Sequence, residues 1–164
     1  MNITSLSNFE SQLKKDNINQ VQICYIDYSG RLCGKIIPIS EIKSVILKGV
    51  VFAKANLSFG LDDHFAEEAT FLANTGDFLA NPDFNSYTFL KHRPGIARFF
   101  SNMLDESGNN WSGCPRNQLQ KTLNKYDELE IKVKISLEPE FSIYKKNEDK
   151  FDPFSFDGMF TISG

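Results

Sequence analysis

The stretch VQICYIDYSGRLCGKIIPI, residues 21–39, alternates Val21, Ile23 and Tyr25 with Gln22 and Cys24. It breaks at Tyr28, Ser29, Gly30 and Arg31, then resumes a β-like run from Leu32 to Ile39. Period-two alternation on either side of turn residues predicts a β-hairpin. Just upstream, Ser7 and Glu10 stand in the S-x-x-E form of a capping box, and a short helix bearing Phe9 and Leu13 is expected to follow. Just downstream, Ser40 is placed to cap a helix through residues 41–48, with Gly49 ending it in the left-handed conformation.

Farther out the mixture of short elements continues. VVFAKANLSFGL, residues 50–61, opens as a strand and dissolves into a loop of small residues, a kind of segment that often carries sites. The acidic run after it sets His64 among Asp62, Asp63, Glu67 and Glu68, and reads as a solvated loop or helix start rather than a metal cluster. The echo of FLANTGD in FLANPDF, residues 71–84, reads as a turn, a strand and a second turn at residues 81–83. Residues 96–105 form another strand candidate with its turn at residues 106–109, and Pro115 opens a helix carrying Leu119, Leu123 and Tyr126 at i, i+4, i+7. Trp111 and the phenylalanines read as core, and Arg116 as a brace at a domain junction.

The last clear element is IKVKISLEPEFSIY, residues 131–144. Ile131, Val133, Ile135, Leu137, Phe141 and Ile143 share one parity; Lys132, Lys134, Ser136, Glu138, Glu140, Ser142 and Tyr144 share the other, which predicts a strand with one apolar face. FDPFSFDGMFTISG, residues 151–164, adds aromatic and turn residues but no closing helix, so the chain reads as one cut within a domain.

Composition narrows the function classes. The chain has 164 residues, 41% of them hydrophobic, enough for a core in one ordinary domain or one small domain and part of another. A net charge of −3 with interspersed signs offers no basic field for phosphates, so no nucleic acid partner is expected. Cys24, Cys33 and Cys114 are widely spaced, odd in number and free of any C-x-x-C pair, which suits a reducing cytoplasm better than a disulfide framework or a structural zinc site. No apolar run reaches the roughly 18 residues of a membrane span, so no membrane partner is expected.

Glu138 and Glu140 leave the same strand face with Cα atoms roughly 6.5–7 Å apart. Two carboxylates at that spacing repel each other. Either the face is wet and high dielectric weakens the repulsion, or divalent cations offset it, each acid holding a different ion of a two-metal site. Pro139 removes a ladder hydrogen bond and points to an edge or a bulge, where side chains are re-aimed.

Four motifs in order carry a resemblance: DYSG at 27–30 with Gly34 and Lys35, GDFLANPD at 76–83, CPRNQL at 114–119, and LEPEF at 137–141. Together they resemble the N-terminal part of the glutamine synthetase family, over about residues 21–144. The resemblance implies an α+β fold: an N-terminal β-grasp domain over residues 1–99, then the truncated start of the catalytic domain, a curved antiparallel sheet, over residues 100–164. It implies an ATP-dependent glutamate–amine ligase that works through γ-glutamyl phosphate, with Mg²⁺ or Mn²⁺ as cofactor and ATP as a substrate. Glu138 matches the acid on the metal among the ATP phosphates, and Glu140 the acid on the metal nearer glutamate. The fragment itself holds no catalytic residue and is expected to be inactive. The resemblance also implies a homo-oligomeric ring assembled through the N-terminal domain, and glutamate, ATP and ammonium or an organic amine as small-molecule substrates.

Departures from the pattern sharpen the expectation. Where ammonium-using members carry an acid that binds and deprotonates ammonium, this chain has Ala53, followed by Lys54. An alanine cannot accept a proton, and a lysine disfavours a cation. An organic amine is expected instead, in a substrate-binding loop of Ala53, Lys54, Asn56 and Ser58. Cys33 stands at the family arginine before Gly-Lys, and Leu137 at the glycine before the first acid. The alternative is a non-catalytic glutamine synthetase-like structural or regulatory protein, in which Ala53 marks loss of chemistry.

Overall fold

The computed structural model describes residues 6–153, which divide into two compact units, one ending at Glu130 and the other beginning at Ile131. In the first unit, β1 (Gln20–Ile26) and β2 (Leu32–Pro38) form the expected antiparallel hairpin, with Tyr25 opposite Cys33 and Cys24 opposite Gly34. One side chain shapes its turn. Asp27 Oδ1 accepts from the backbone N–H of Ser29 at 3.0 Å and of Arg31 at 2.8 Å, and Gly30 follows at φ 81°, a region open to glycine at little cost.

β6 (Ile96–Leu104) lies beside β1 in parallel, and every other pairing in the sheet is antiparallel. With β3 (Val50–Ala53), β4 (Asp77–Pro82) and the short β5 (Thr88–Phe89), the order is β2-β1-β6-β4-β3, and β5 joins β6 off this path. β6 runs unbroken through residues 99 and 100 between β1 and β4, so the sheet of the first unit is continuous across that point. After β6, Asp105 repeats the Asp27 device in the sequence D-x-S-G-x. Its Oδ1 accepts from Ser107 and Asn109 N–H, both at 2.9 Å, with Gly108 at φ 82°.

Two helices feed the core. α1 (Leu6–Lys15) buries Phe9 and Leu13 as expected, and Phe9 packs edge-on against Phe99 with centroids 5.1 Å apart. The capping box does not form as drawn: the helix begins at Leu6, so position 7 is already helical, and Glu10 faces Lys43 at 3.4 Å. α2 (Ile42–Lys48) buries Ile42 and Val45 and ends at Gly49, φ 72°, as expected. Its start differs. Residues 39–41 form a 3₁₀ turn after Pro38, so Ser40 lies within a turn and caps nothing. Tyr25, Phe52 and Phe78 complete an aromatic centre, with Tyr25 4.9 Å from Phe52 and 5.1 Å from Phe78. Full burial of each such ring contributes about 1.5–3 kcal/mol.

α3 (Pro115–Glu128) starts at Pro115 as expected, because a proline at the first helical position gives up only a donor that has no partner there. The apolar face expected of it is not covered: Leu119 is 57% exposed and Tyr126 38%, and Asn117 is the buried residue of the helix. Arg116 does act as a brace, donating to Asp83 at 2.6 Å and Asn102 at 3.2 Å, so it ties α3 to the end of β4 and to β6 within one unit.

In the second unit, β7 (Tyr144–Asn147) and β8 (Lys150–Pro153) form a small hairpin. The strand expected over residues 131–144 does not form: residues 131–143 pair with no strand among the described residues, and only Tyr144 enters one. Alternation states which face of a strand would be apolar, but a strand exists only where a neighbour supplies its ladder bonds. The apolar parity is consequently bare, with Leu137 89% and Phe141 80% exposed. Residues 154–164, with most of FDPFSFDGMFTISG, lie outside the described residues. Among the described residues no helix is long and apolar enough to cross a membrane.

Candidate functional site

Ala53 closes β3 opposite Asp77, and the chain coils at once into a 3₁₀ turn, Lys54–Ser58, whose Ala55, Leu57 and Ser58 are buried. The expected substrate loop is therefore a packed turn. Ser58 Oγ donates to the Phe71 carbonyl at 2.8 Å and accepts from the Phe71 N–H at 3.3 Å, which commits it to holding the turn against the next loop. Lys54 folds inward with its side chain only 14% exposed, its Nζ 3.8 Å from Glu106 Oε1 and 5.7 Å from the Trp111 ring centroid. Ala53 presents a methyl group and nothing that titrates. Asn56, half-buried, stands near the Tyr25 hydroxyl and acts to lower its pKa.

Asn56 opens onto a cleft of about 660 Å³ between the hairpin and this turn. Tyr25, Phe52 and Phe59 form its aromatic wall, and Leu32, Cys33 and Gly34 of β2 line it as well. Arg31 and Asp63 complete it, joined by an ion pair at 2.5 Å, while Arg31 Nε also donates to Asp27 at 2.8 Å. Thus Asp63, from the acidic run beside His64, sits against a guanidinium, and His64 stays in solvent with its ring on the Asp62 carbonyl at 2.9 Å.

The titrating groups here shift as their surroundings dictate. Burial, then the neighbouring Cys33, pushes the Tyr25 hydroxyl up from 10.0 to about 12, against the Asn56 hydrogen bond. Burial, then the Asp27 charge, raises the Cys33 thiol. For Asp27 burial is the largest influence and acts upward, but the Arg31 backbone and side-chain bonds together with Ser29 outweigh it and hold the carboxyl below its ordinary 3.8. The Asp27 contribution to stability is complete above its ordinary value and fades as pH falls through the lowered one. The Tyr25 contribution is complete below pH 10 and is lost as pH rises from 10.0 to about 12. Chemical denaturation followed across pH is expected to show both limbs, and Tyr25→Phe to flatten the alkaline one; an unchanged alkaline limb would assign it to another group.

Glu138 and Glu140 lie in the second unit, exposed, two residues apart on the unpaired segment. As a donor set they fit Mg²⁺ or Mn²⁺ in part: hard carboxylate oxygens of the right kind, but only two residues of a shell that takes six oxygen ligands or so. Among the described residues no group of three or more His, Cys, Asp and Glu comes together. The structure thus brings Ala53, Lys54, Asn56 and Ser58 together in one turn, and holds Glu138 and Glu140 as a pair in another unit. Sequence reading missed Tyr25, Phe59 and Arg31 as cleft residues, since parity marks Tyr25 as core. The available signal was Asp27, whose turn swings Arg31 back over the strand end.

No protein-family profile matches the chain. It is 28% identical over 132 residues to the glutamine synthetase of Pyrococcus horikoshii, covering 79% of this chain and 27% of that protein. It is 27% identical to the type-1 glutamine synthetase 2 of Dictyostelium discoideum, over 93% of this chain and 31% of that one. Its fold is similar to that of a solved GmaS/ADP complex, with a TM-score of 0.61 and 22% identity over 77% of this chain and 26% of the other. The chain spans less than a third of the length of these relatives.

Proposed function

We infer that this chain, which is related to the glutamine synthetase family, belongs to an ATP-dependent glutamate–amine ligase that forms a γ-glutamyl amide through γ-glutamyl phosphate. The activity would be that of a polypeptide as long as the relatives, acting in the cytoplasm; this chain spans less than a third of their length. The observation that carries the reading is Glu138 and Glu140, two residues apart and both exposed, in one segment of the chain. A structural protein gains nothing from two mutually repelling carboxylates.

Glu138 and Glu140 would each hold one divalent cation, Mg²⁺ or Mn²⁺. Bound there, the ions would offset the negative charge of the transferring phosphoryl group. The γ-carboxylate of glutamate takes the terminal phosphoryl of ATP, the amine nitrogen attacks the acyl carbon, the C–O bond to phosphate breaks, and the amine gives up a proton. The β1–β2 hairpin and the parallel β1–β6 pair support a β-grasp reading of the N-terminal domain, residues 1–99; because β6 crosses residues 99 and 100, the catalytic domain of residues 100–164 would begin within that strand. That first domain packs against the neighbouring subunit of a homo-oligomeric ring. Ala53 in place of an acid, with Lys54 beside it, favours an organic amine over ammonium.

Phosphate release from ATP by the full-length polypeptide, with glutamate and Mg²⁺ or Mn²⁺, tests the reading. One organic amine is expected to stimulate release about tenfold or more beyond ammonium. Ammonium working as well as the best amine would sink the amine preference. Release that no amine or ammonium stimulates would favour the non-catalytic reading, which Ala53 also fits.

A further inference from the structure

We propose that residues 59–65 form a strap along the cleft beside Asn56, latched to the hairpin by Arg31 and released as ionic strength rises. The strap is a closed loop in its own right. Phe59 bridges Phe65, their ring centroids 4.4 Å apart, and the Gly60 N–H donates to the His64 carbonyl at 2.8 Å. Just beyond, the Ala66 N–H donates to the Ser58 carbonyl at 2.9 Å, so both ends of the loop meet at the packed 3₁₀ turn. A loop closed on itself can swing as one body about such a stem. Ser29 Oγ, donating to the Phe59 carbonyl at 3.0 Å, holds the stem. The tip, residues 61–64, has one hydrogen bond or ion pair to the rest of the unit among the described residues, Arg31 to Asp63 Oδ1 at 2.5 Å. Burial does not hold it: Leu61 is 76% exposed, and Asp62, Asp63 and His64 are exposed as well. A segment with few buried apolar contacts opens at low cost in free energy.

The charges allow two states. Arg31 Nε also donates to Asp27 Oδ2 at 2.8 Å, and the Asp27 side chain has no exposure to solvent, whereas that of Asp63 is 85% exposed. Letting go of Asp63 leaves the buried carboxylate matched by the guanidinium and frees an acid that is already almost wholly in water. Neither state strands an uncompensated buried charge. The two contacts also differ in their response to salt, because ions screen an exposed pair and scarcely reach a buried one. Screening therefore frees the tip and leaves the hairpin turn intact. Phe59 and Asp63 both line the cleft of about 660 Å³, so the swing widens it. The strap stands independently of the ligase reading.

Hydrogen exchange of the full-length polypeptide, resolved by peptide, tests the strap at low salt and at about 0.5 M NaCl. Amides of residues 59–66 are expected to exchange about two- to fivefold faster at high salt, the range that an exposed ion pair supports. Those of residues 21–39 should keep their rates. Asp63→Asn should exchange fast in residues 59–66 at both salt concentrations. Arg31→Lys, which can hold Asp27 but lacks the fork to reach both acids, should do the same by a second route. Glu67→Gln, which removes a neighbouring exposed acid, should behave as wild type. A salt effect that survives Asp63→Asn, or rates in residues 59–66 that neither salt nor the substitution alters, would overturn the latch. Loss of protection in residues 21–39 together with 59–66 would overturn it too, since the hairpin end would then be unfolding with the loop.

Discussion

Gly34→Ala is expected to lower folding stability by about 3 kcal/mol, whereas Gly30→Ala costs about 1 kcal/mol. Gly34 faces Cys24 across the hairpin, and a Cβ there would collide with the Ile23 carbonyl oxygen and stand 3.0 Å from both Cys24 Cα and Cys24 Sγ. Backbone cannot yield as a flexible side chain does, so the methyl group must force β1 and β2 apart. β1 lies between β2 and β6 and carries Val21, Ile23 and Tyr25 into the core, so separation there unpicks buried contacts as well as ladder bonds. Gly30 presents the opposite case. Nothing lies within 4 Å of a Cβ there, and the cost is only the strain of φ +81° on an alanine. Urea unfolding of the two variants separates clash from strain; equal losses, or a larger loss at Gly30, would mean that the close approach at Gly34 does not bear on stability. Against a total of about 5–15 kcal/mol for a domain of this kind, the Gly34 loss leaves little margin at the low end.

Local chemistry explains which elements were legible from the residues. The hairpin at residues 21–39 announces itself through parity and an Asp-x-Ser-Gly turn that Asp27 closes with its own side chain, all within a few residues. Gly49 and Pro115 mark helix ends for equally local reasons. What failed was whatever depended on a partner elsewhere. Residues 131–143 have the pattern of a strand, yet a ladder needs a second strand, and none of the described residues supplies one. Likewise Leu119 and Tyr126 have helical spacing, but spacing does not say what covers them. At the candidate site, Ala53 stands out in the sequence by its departure from an expected acid and Asn56 lines the cleft, while Ser58 is bound to Phe71 on both sides of its hydroxyl. Tyr25 and Arg31 escaped notice because the cleft forms only when the hairpin end and the 3₁₀ turn meet, more than 20 residues apart in the chain.

In the full-length polypeptide, Glu140→Ala and Glu138→Ala are each expected to reduce metal-dependent phosphate release by about a thousandfold. Both side chains are exposed on an unpaired segment and have no bonding role in the described residues, so melting temperatures should not move, and the loss belongs to chemistry rather than folding. If each acid holds a different ion, the two losses should differ in kind: Glu138→Gln should raise the KM for ATP, and Glu140→Gln the KM for glutamate, with partial recovery at high Mn²⁺. That split matters more than the loss itself, because a merely structural contribution would lower kcat without choosing a substrate. Removing both acids together should cost little more than removing one, since a half-filled pair already leaves the phosphoryl charge uncompensated. Wild-type release rates in both single variants would return the pair to the plainer reading, two carboxylates on a wet face whose repulsion water screens.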